Sequence, residues 1–300
     1  MAASGCSRKD IEDEGGHRER ELCFLGVVTM PVTPVRLGAV GYLNARPLVY
    51  GLDREPRFAL RYDIPSECAR LLHAHRIDVG LIPSIEYLRG PQPYAFVPGP
   101  AVTSRGAVAS VAIYTRLEPR DIRTIAMDTS SRTSVALSTV LLRRAFGVTP
   151  VAMPMAPDLD AMLARADAAL IIGDLALFLN PPAAAGSPHP AIRKIDLGAL
   201  WTQETGLPFV YAVWAGWPGA INAEDVRLLQ QARDRGVAES DDVARSYYPD
   251  DPGLQAVARH YLRDNIRYLL GDEELEGLRT FYRYAAEIGL ASFDGTLRFF

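Results

Sequence analysis

The chain has 300 residues, 48% of them apolar and 23% charged, with a formal net charge of −4. That length can build two lobes, each with its own core, and the balance is that of a soluble globular protein. No basic stripe points to nucleic acid, and no run approaches the roughly 18 apolar residues of a membrane span.

Residues 1–34 read as a disordered tail or a start-site extension, with Met30 an alternative start. Ala3-Ser4-Gly5-Cys6 looks like a lipoprotein cleavage site, but nothing ahead of Cys6 supplies the roughly 7 to 15 apolar residues that a signal needs. Cys6, Cys23 and Cys68 show no Cys-x-x-Cys or metal spacing, so a reducing cytoplasm fits best, with Cys68 a small buried thiol on a helix. The only lysines are Lys9 and Lys194, and neither suits Schiff-base or pyridoxal chemistry.

Apolar spacing then predicts a strand at 37–40, a helix at 46–52, a strand at 58–62, a helix at 65–74 and a strand at 79–82. Pro65 just inside its helix and Glu67 in the first turn both favour that start. This βαβαβ order implies a parallel sheet with right-handed crossovers. A long strand at 108–114 precedes a charged break at 116–121. A second βαβαβ pattern follows: strand 124–127, helix 133–146, a strand near 151, helix 158–165 and strand 168–172. Strand 209–215 matches 108–114 in length and apolarity and carries the chain back to the first lobe. Helices fill 223–235, 240–247, 254–270 and 273–288. The expectation is an α/β fold resembling type 2 periplasmic binding proteins, with two open, mostly parallel sheets joined by two crossover strands around a ligand cleft. Lobe 1 would comprise 35–115 with 208–300, and lobe 2 would comprise 116–207.

Candidate site residues follow strand ends, where open α/β sheets bind small molecules. Asn44 offers a donor and an acceptor without charge, though an Asn before a helix also serves as a cap. Ser84 follows an apolar strand ending in Pro83, and its hydroxyl with the amides beyond it suits a carboxylate. As a nucleophile Ser84 would need a base and an orienting acid, and no such pattern surrounds it. Thr129-Ser130-Ser131-Arg132-Thr133-Ser134 brings hydroxyls, a guanidinium and free helix amides to one anion-sized space, more than a cap needs. Ser104-Arg105-Gly106 forms a corresponding turn, with Arg105 equally readable as a surface residue. Gly173-Asp174 closes strand 168–172, facing the cleft or capping the next helix. His17, His73, His75, His189 and His260 show no metal spacing.

The ordered set 41–48, 80–84, 104–111, 131–134, 171–174, 196–201 and 205–209 resembles the chorismate dehydratase family of the futalosine route to menaquinone, from about residue 35 to about 291. The resemblance implies loss of water from chorismate to give 3-[(1-carboxyvinyl)oxy]benzoate, with no metal, redox cofactor or other cofactor. It favours the site over the cap for Asn44, beside Tyr42. Asn44 and Ser84 are then expected at the reacting region, with Tyr42, Ser104, Arg105, Gly106, Ser131, Arg132, Thr133, Ser134, Gly173 and Asp174 holding a small-molecule substrate. The substrate's own enolpyruvyl carboxylate would serve as base. A solute-binding protein and the related 1,4-dihydroxy-6-naphthoate synthase stay open as alternatives on the same scaffold.

Overall fold

In β1 (Val35–Val40) every residue except Arg36 is buried, as a strand covered on both faces requires. It lies between two parallel neighbours, β2 (Phe58–Asp63) and, after α1 (Pro65–His73), β3 (Val79–Pro83). Residues 33–179 and 191–300 are described by the structure, a computed structural model. The reading of the N-terminal tail therefore lies outside the described residues but for Thr33 and Pro34, as do Lys9, His17 and His189. Cys68 is the buried helix thiol expected, donating to the Ala39 carbonyl, and burial pushes it up to about 12.

The helix expected at 46–52 is instead a 3₁₀ helix, Leu43–Val49, followed by a second short one, Leu52–Arg54. Pro47 inside the first has no N–H to give to an α-helical ladder.

After β3 the chain enters a ten-residue strand, β4 (Ala95–Ser104), that the sequence pattern did not suggest. Pro98 and Pro100 argue against a central strand; pairing along one edge of β4 skips residues 97–100, while the other edge pairs at Gly99 and Pro100, with Gly99 at φ +102°. The strand expected at 108–114 is β5 (Val111–Thr115), and it belongs to the second sheet, not the first. Then come β6 (Thr124–Asp128), α2 (Arg132–Phe146), β7 (Val151–Met155), α3 (Leu159–Leu163), β8 (Ala168–Ile172), α4 (Gly173–Phe178), β9 (Arg193–Asp196) and α5 (Leu197–Thr205). The chain returns to the first sheet through β10 (Phe209–Gly216), followed by α6 (Ala223–Ala238), α7 (Ser240–Tyr247) and α8 (Pro252–His260). The helix expected over 254–270 stops at His260: one π-helical turn (Tyr261–Asn265) leads into β11 (Arg267–Leu270), and α9 (Asp272–Glu287) follows.

The sheet orders are β11-β4-β10-β3-β1-β2 and β7-β6-β8-β5-β9. Both are mixed rather than mostly parallel. Strands β2-β1-β3 and β7-β6-β8 are parallel, while β10 runs antiparallel to β3 and β4, and β5 runs antiparallel to β8 and β9. One apolar core, including the fully buried Trp201, Trp214, Phe209 and Phe281, joins residues of both sheets. Each such side chain contributes roughly 1.5–3 kcal/mol on leaving water. Packing of α6 holds the 3₁₀ segment from outside: a Cβ on Gly236 would lie 2.1 Å from the Pro47 carbonyl oxygen, so only glycine permits this approach.

Candidate functional site

A cavity lies at the carboxyl ends of the parallel strands of both sheets. Val40 closes β1, Pro83 closes β3 and Ile172 closes β8, and all three line it. Its polar lining consists of hydroxyls and one amide, from Tyr42, Asn44, Ser110, Ser131, Ser134 and Tyr211. Leu81, Val102, Val108 and Val111 contribute apolar wall.

The first turn of α2 reaches this cavity and also fastens the second sheet to the first. Ser131 and Ser134 line the cavity and bond to each other at 3.1 Å, and no side chain caps the helix start. Those free amides and two hydroxyls suit an anion. Thr133 turns the other way: its Oγ1 accepts the Ile85 N–H at 3.1 Å and lies 3.4 Å from the Ser84 hydroxyl. Ser130 accepts the Ser66 N–H through its carbonyl at 2.9 Å and the Tyr42 hydroxyl through its Oγ at 3.2 Å. Arg132 leaves the cavity to bond Glu86 at 2.7 Å. Burial opposes ionisation of Glu86, but His73, Arg132 and Arg89 outweigh it and hold the carboxyl below the usual range.

Ser84 is fully buried but does not line the cavity; its hydroxyl donates to the Val210 carbonyl at 2.8 Å, and its own carbonyl accepts the Tyr282 hydroxyl at 2.5 Å. Pro83 faces the cavity in its place. Ser104 is also one step removed, with its hydroxyl 3.0 Å from that of Tyr211. Arg105 is a surface residue, paired with Glu273 at 2.7 Å and the Gly206 carbonyl at 3.2 Å. Gly106 takes φ +89° and gives its N–H to Thr202.

Gly173 lines the cavity at φ +69°, where an added Cβ would meet the Tyr42 ring at 3.2 Å. Asp174 points away from the cavity, accepting the Leu43 N–H at 3.1 Å and lying 2.6 Å from the Tyr247 hydroxyl. Burial raises its carboxyl above the usual range despite those bonds and the nearby Arg46. It therefore anchors the segment carrying Asn44.

Sequence reasoning did not single out Ser110, Tyr211, Tyr247 or Tyr261. Tyr211 is the extra residue of a bulge in β10, where Val210 opposes Thr103 and Ala212 opposes Val102; such a bulge re-aims a side chain. The loop before β5 is held by Asp196, whose carboxylate accepts the N–H groups of Val108 at 3.0 Å and Ala109 at 2.6 Å. Ala109 takes φ +63°, a conformation that a non-glycine residue keeps only when its surroundings impose it. Among the described residues, no three or more His, Cys, Asp or Glu side chains gather as a metal site would require.

Residues 35–287 match the family model described as menaquinone biosynthesis. The chain is 31% identical to the chorismate dehydratase of Thermus thermophilus over 262 residues, covering 83% of this chain and 94% of that protein. A crystal structure of an Archaeoglobus fulgidus protein superposes with a TM-score of 0.67 at 17% identity, covering 86% of this chain and 98% of that one. A Candida albicans protein described as having the generic periplasmic binding protein fold superposes at 0.59 with 11% identity, over 87% of this chain and 92% of that one. The two structures establish the fold.

Proposed function

Because the chain belongs to the menaquinone biosynthesis family, we propose that it is a chorismate dehydratase, a carbon–oxygen lyase that removes water from chorismate to give 3-[(1-carboxyvinyl)oxy]benzoate. The observation that carries this reading to the site is the cavity's polar lining of neutral donors. Chorismate brings two carboxylates, and hydroxyls with free amides bind carboxylates without a buried counter-charge. The uncapped start of α2, with Ser131 and Ser134, holds one of them. Asn44 faces the reacting edge of the ring. Tyr42, Gly173 and Tyr211 shape the wall.

The elimination breaks the C4–O bond and the C3–H bond, and the departing hydroxyl leaves as water. Aromatisation drives the step. Asp174 is engaged by Leu43 and Tyr247, so the substrate's enolpyruvyl carboxylate is assigned the C3 proton. The two sheets act as two lobes that fix the substrate's conformation, and such positioning lowers a barrier by roughly 7–11 kcal/mol. Ser84 and Thr133 support the site by holding the lobes together. The reaction is redox-neutral, and we assign it to the cytoplasm.

The test is incubation of the purified protein with chorismate, in EDTA and without added nucleotide or pyridoxal phosphate. The expected result is loss of the diene absorbance and a product lighter by one water. Unchanged chorismate would refute the proposal, and activity abolished by EDTA and restored by a metal would refute its cofactor-free form.

A further inference from the structure

Ala109 is the central residue of a γ-turn: the Ser110 N–H donates to the Val108 carbonyl at 2.8 Å, two residues back, and Ala109 itself takes φ +63°. A γ-turn with positive φ is rare and strained, and strain that a fold retains clusters at functional sites. Both flanking residues, Val108 and Ser110, line the cavity. Asp196, which ends β9 and caps α5, imposes the turn. One of its carboxylate oxygens accepts the N–H groups of Val108 and Ala199, each at 3.0 Å, and the other accepts that of Ala109 at 2.6 Å. Capping α5 needs only the bond to Ala199. Ser110 is held from two further directions: its carbonyl accepts the Gly173 N–H at 2.8 Å, and its Oγ lies 2.6 Å from the hydroxyl of Tyr261, in the π-helical turn after α8.

We propose that Asp196 is a positioning residue for the dehydration: it holds the strained turn at Ala109 and so fixes Ser110 at the cavity wall before the substrate arrives. Without Asp196, Ala109 relaxes toward negative φ, and that reversal carries Ser110 with it. A polar group already in place reorganises little as charge develops on the substrate, so its contribution falls on the transition state. Asparagine at 196 separates this role from capping. It caps a helix as well as aspartate does, but it has one acceptor oxygen instead of two. With that oxygen on Val108 and Ala199, its NH₂ faces the Ala109 N–H, and the strained residue loses its bond. Glycine at 109 approaches the same point from the other side, since it takes positive φ without the cost of a Cβ.

This inference rests on the dehydratase reading, and the experiment separates the two. Steady-state kinetics with chorismate are measured for the parental protein, Asp196→Asn, Ala109→Gly and the double variant, beside their melting temperatures. Asp196→Asn should lower kcat roughly 10- to 100-fold, the scale of a small misplacement, with KM within about threefold. Ala109→Gly should then raise kcat several-fold in the Asp196→Asn background and by less in the parent, because it removes the strain that Asp196 otherwise holds. Parental kcat in Asp196→Asn, whatever its KM or melting temperature, would reduce Asp196 to a cap and overturn the positioning role. An equal effect of Ala109→Gly in both backgrounds would overturn it too, by showing that the loss does not pass through the turn. Should Asp196→Asn not fold, Ala109→Val decides: Ala109 is half-buried, and a β-branched residue strongly disfavours positive φ. Lowered kcat at unchanged KM in that variant upholds the role, and parental kcat overturns it. Absence of parental activity on chorismate overturns the dehydratase reading itself, and the inference with it.

Discussion

Thr133 Oγ1 accepts the backbone N–H of Ile85 at 3.1 Å, across 48 positions of sequence and from one sheet's connections to the other's. The two residues either side of the substrate-facing question, Thr133 and Ser134, thus do different work within one helical turn. Thr133→Ala should cost about 1–3 kcal/mol of unfolding free energy by leaving a buried N–H unpaired, with little change in KM. Ser131→Ala with Ser134→Ala should weaken chorismate binding by roughly 1.5–3 kcal/mol per lost bond to a charged group, with the smaller change in stability. Denaturant titration and KM, measured on both variants, check the pair; the opposite pattern would exchange the two assignments.

Asn44→Ala should lower kcat far more than it raises KM, since its contact is assigned to the reacting edge rather than to a carboxylate. Asn44→Asp should be at least as damaging, because a new charge would face the enolpyruvyl carboxylate in a cavity short of water. A correctly folded variant turning over at the parental rate would reduce Asn44 to a structural residue.

Asp174 gives a pH signature. Its carboxyl is raised by burial, so the folded chain holds that proton more tightly than the unfolded chain does. Stability from this group is therefore present at low pH and is lost as pH rises through the raised pKa. In Asp174→Asn the amide oxygen can still accept from Leu43, its N–H can meet the Tyr247 oxygen, and Tyr247 can donate to the Gly41 carbonyl, 3.0 Å away. The variant's stability relative to the parent should rise between about pH 4 and about pH 8. Urea titrations at both values measure it, and a relative stability that falls with pH contradicts the assignment.

Gly236→Ala should loosen the Asn44 segment from behind, because its methyl meets Pro47 backbone rather than a side chain that can swing aside. Overpacking of this kind costs typically about 1–3 kcal/mol. The melting temperature and kcat should fall together; an unchanged melting temperature would show that α6 moves freely against the segment.

Local chemistry was legible in the chain wherever a short window carried its own constraint. Apolar runs at β1, β3 and β8, the proline start of α1, the buried Cys68 and the start of α2 beside the cavity all follow from neighbours within a few residues. Asn44, Tyr42, Ser131, Ser134 and Gly173, which line the cavity, were singled out the same way, as residues that follow a recognisable strand. Local pattern failed at β4, because Pro98 and Pro100 are tolerated by a break in the pairing with β10 that only the partner strand reveals. It failed at 254–270, where a helical period continues through a turn that packing converts to π geometry and then to strand. Whether Thr133 meets substrate or Ile85, whether Tyr211 bulges toward the cavity, and which phenol holds Ser110 are decided by contacts spanning from 48 to 151 positions. A hydroxyl carries no local mark of its distant partner; only the packing of two sheets onto one core assigns its hydrogen bond.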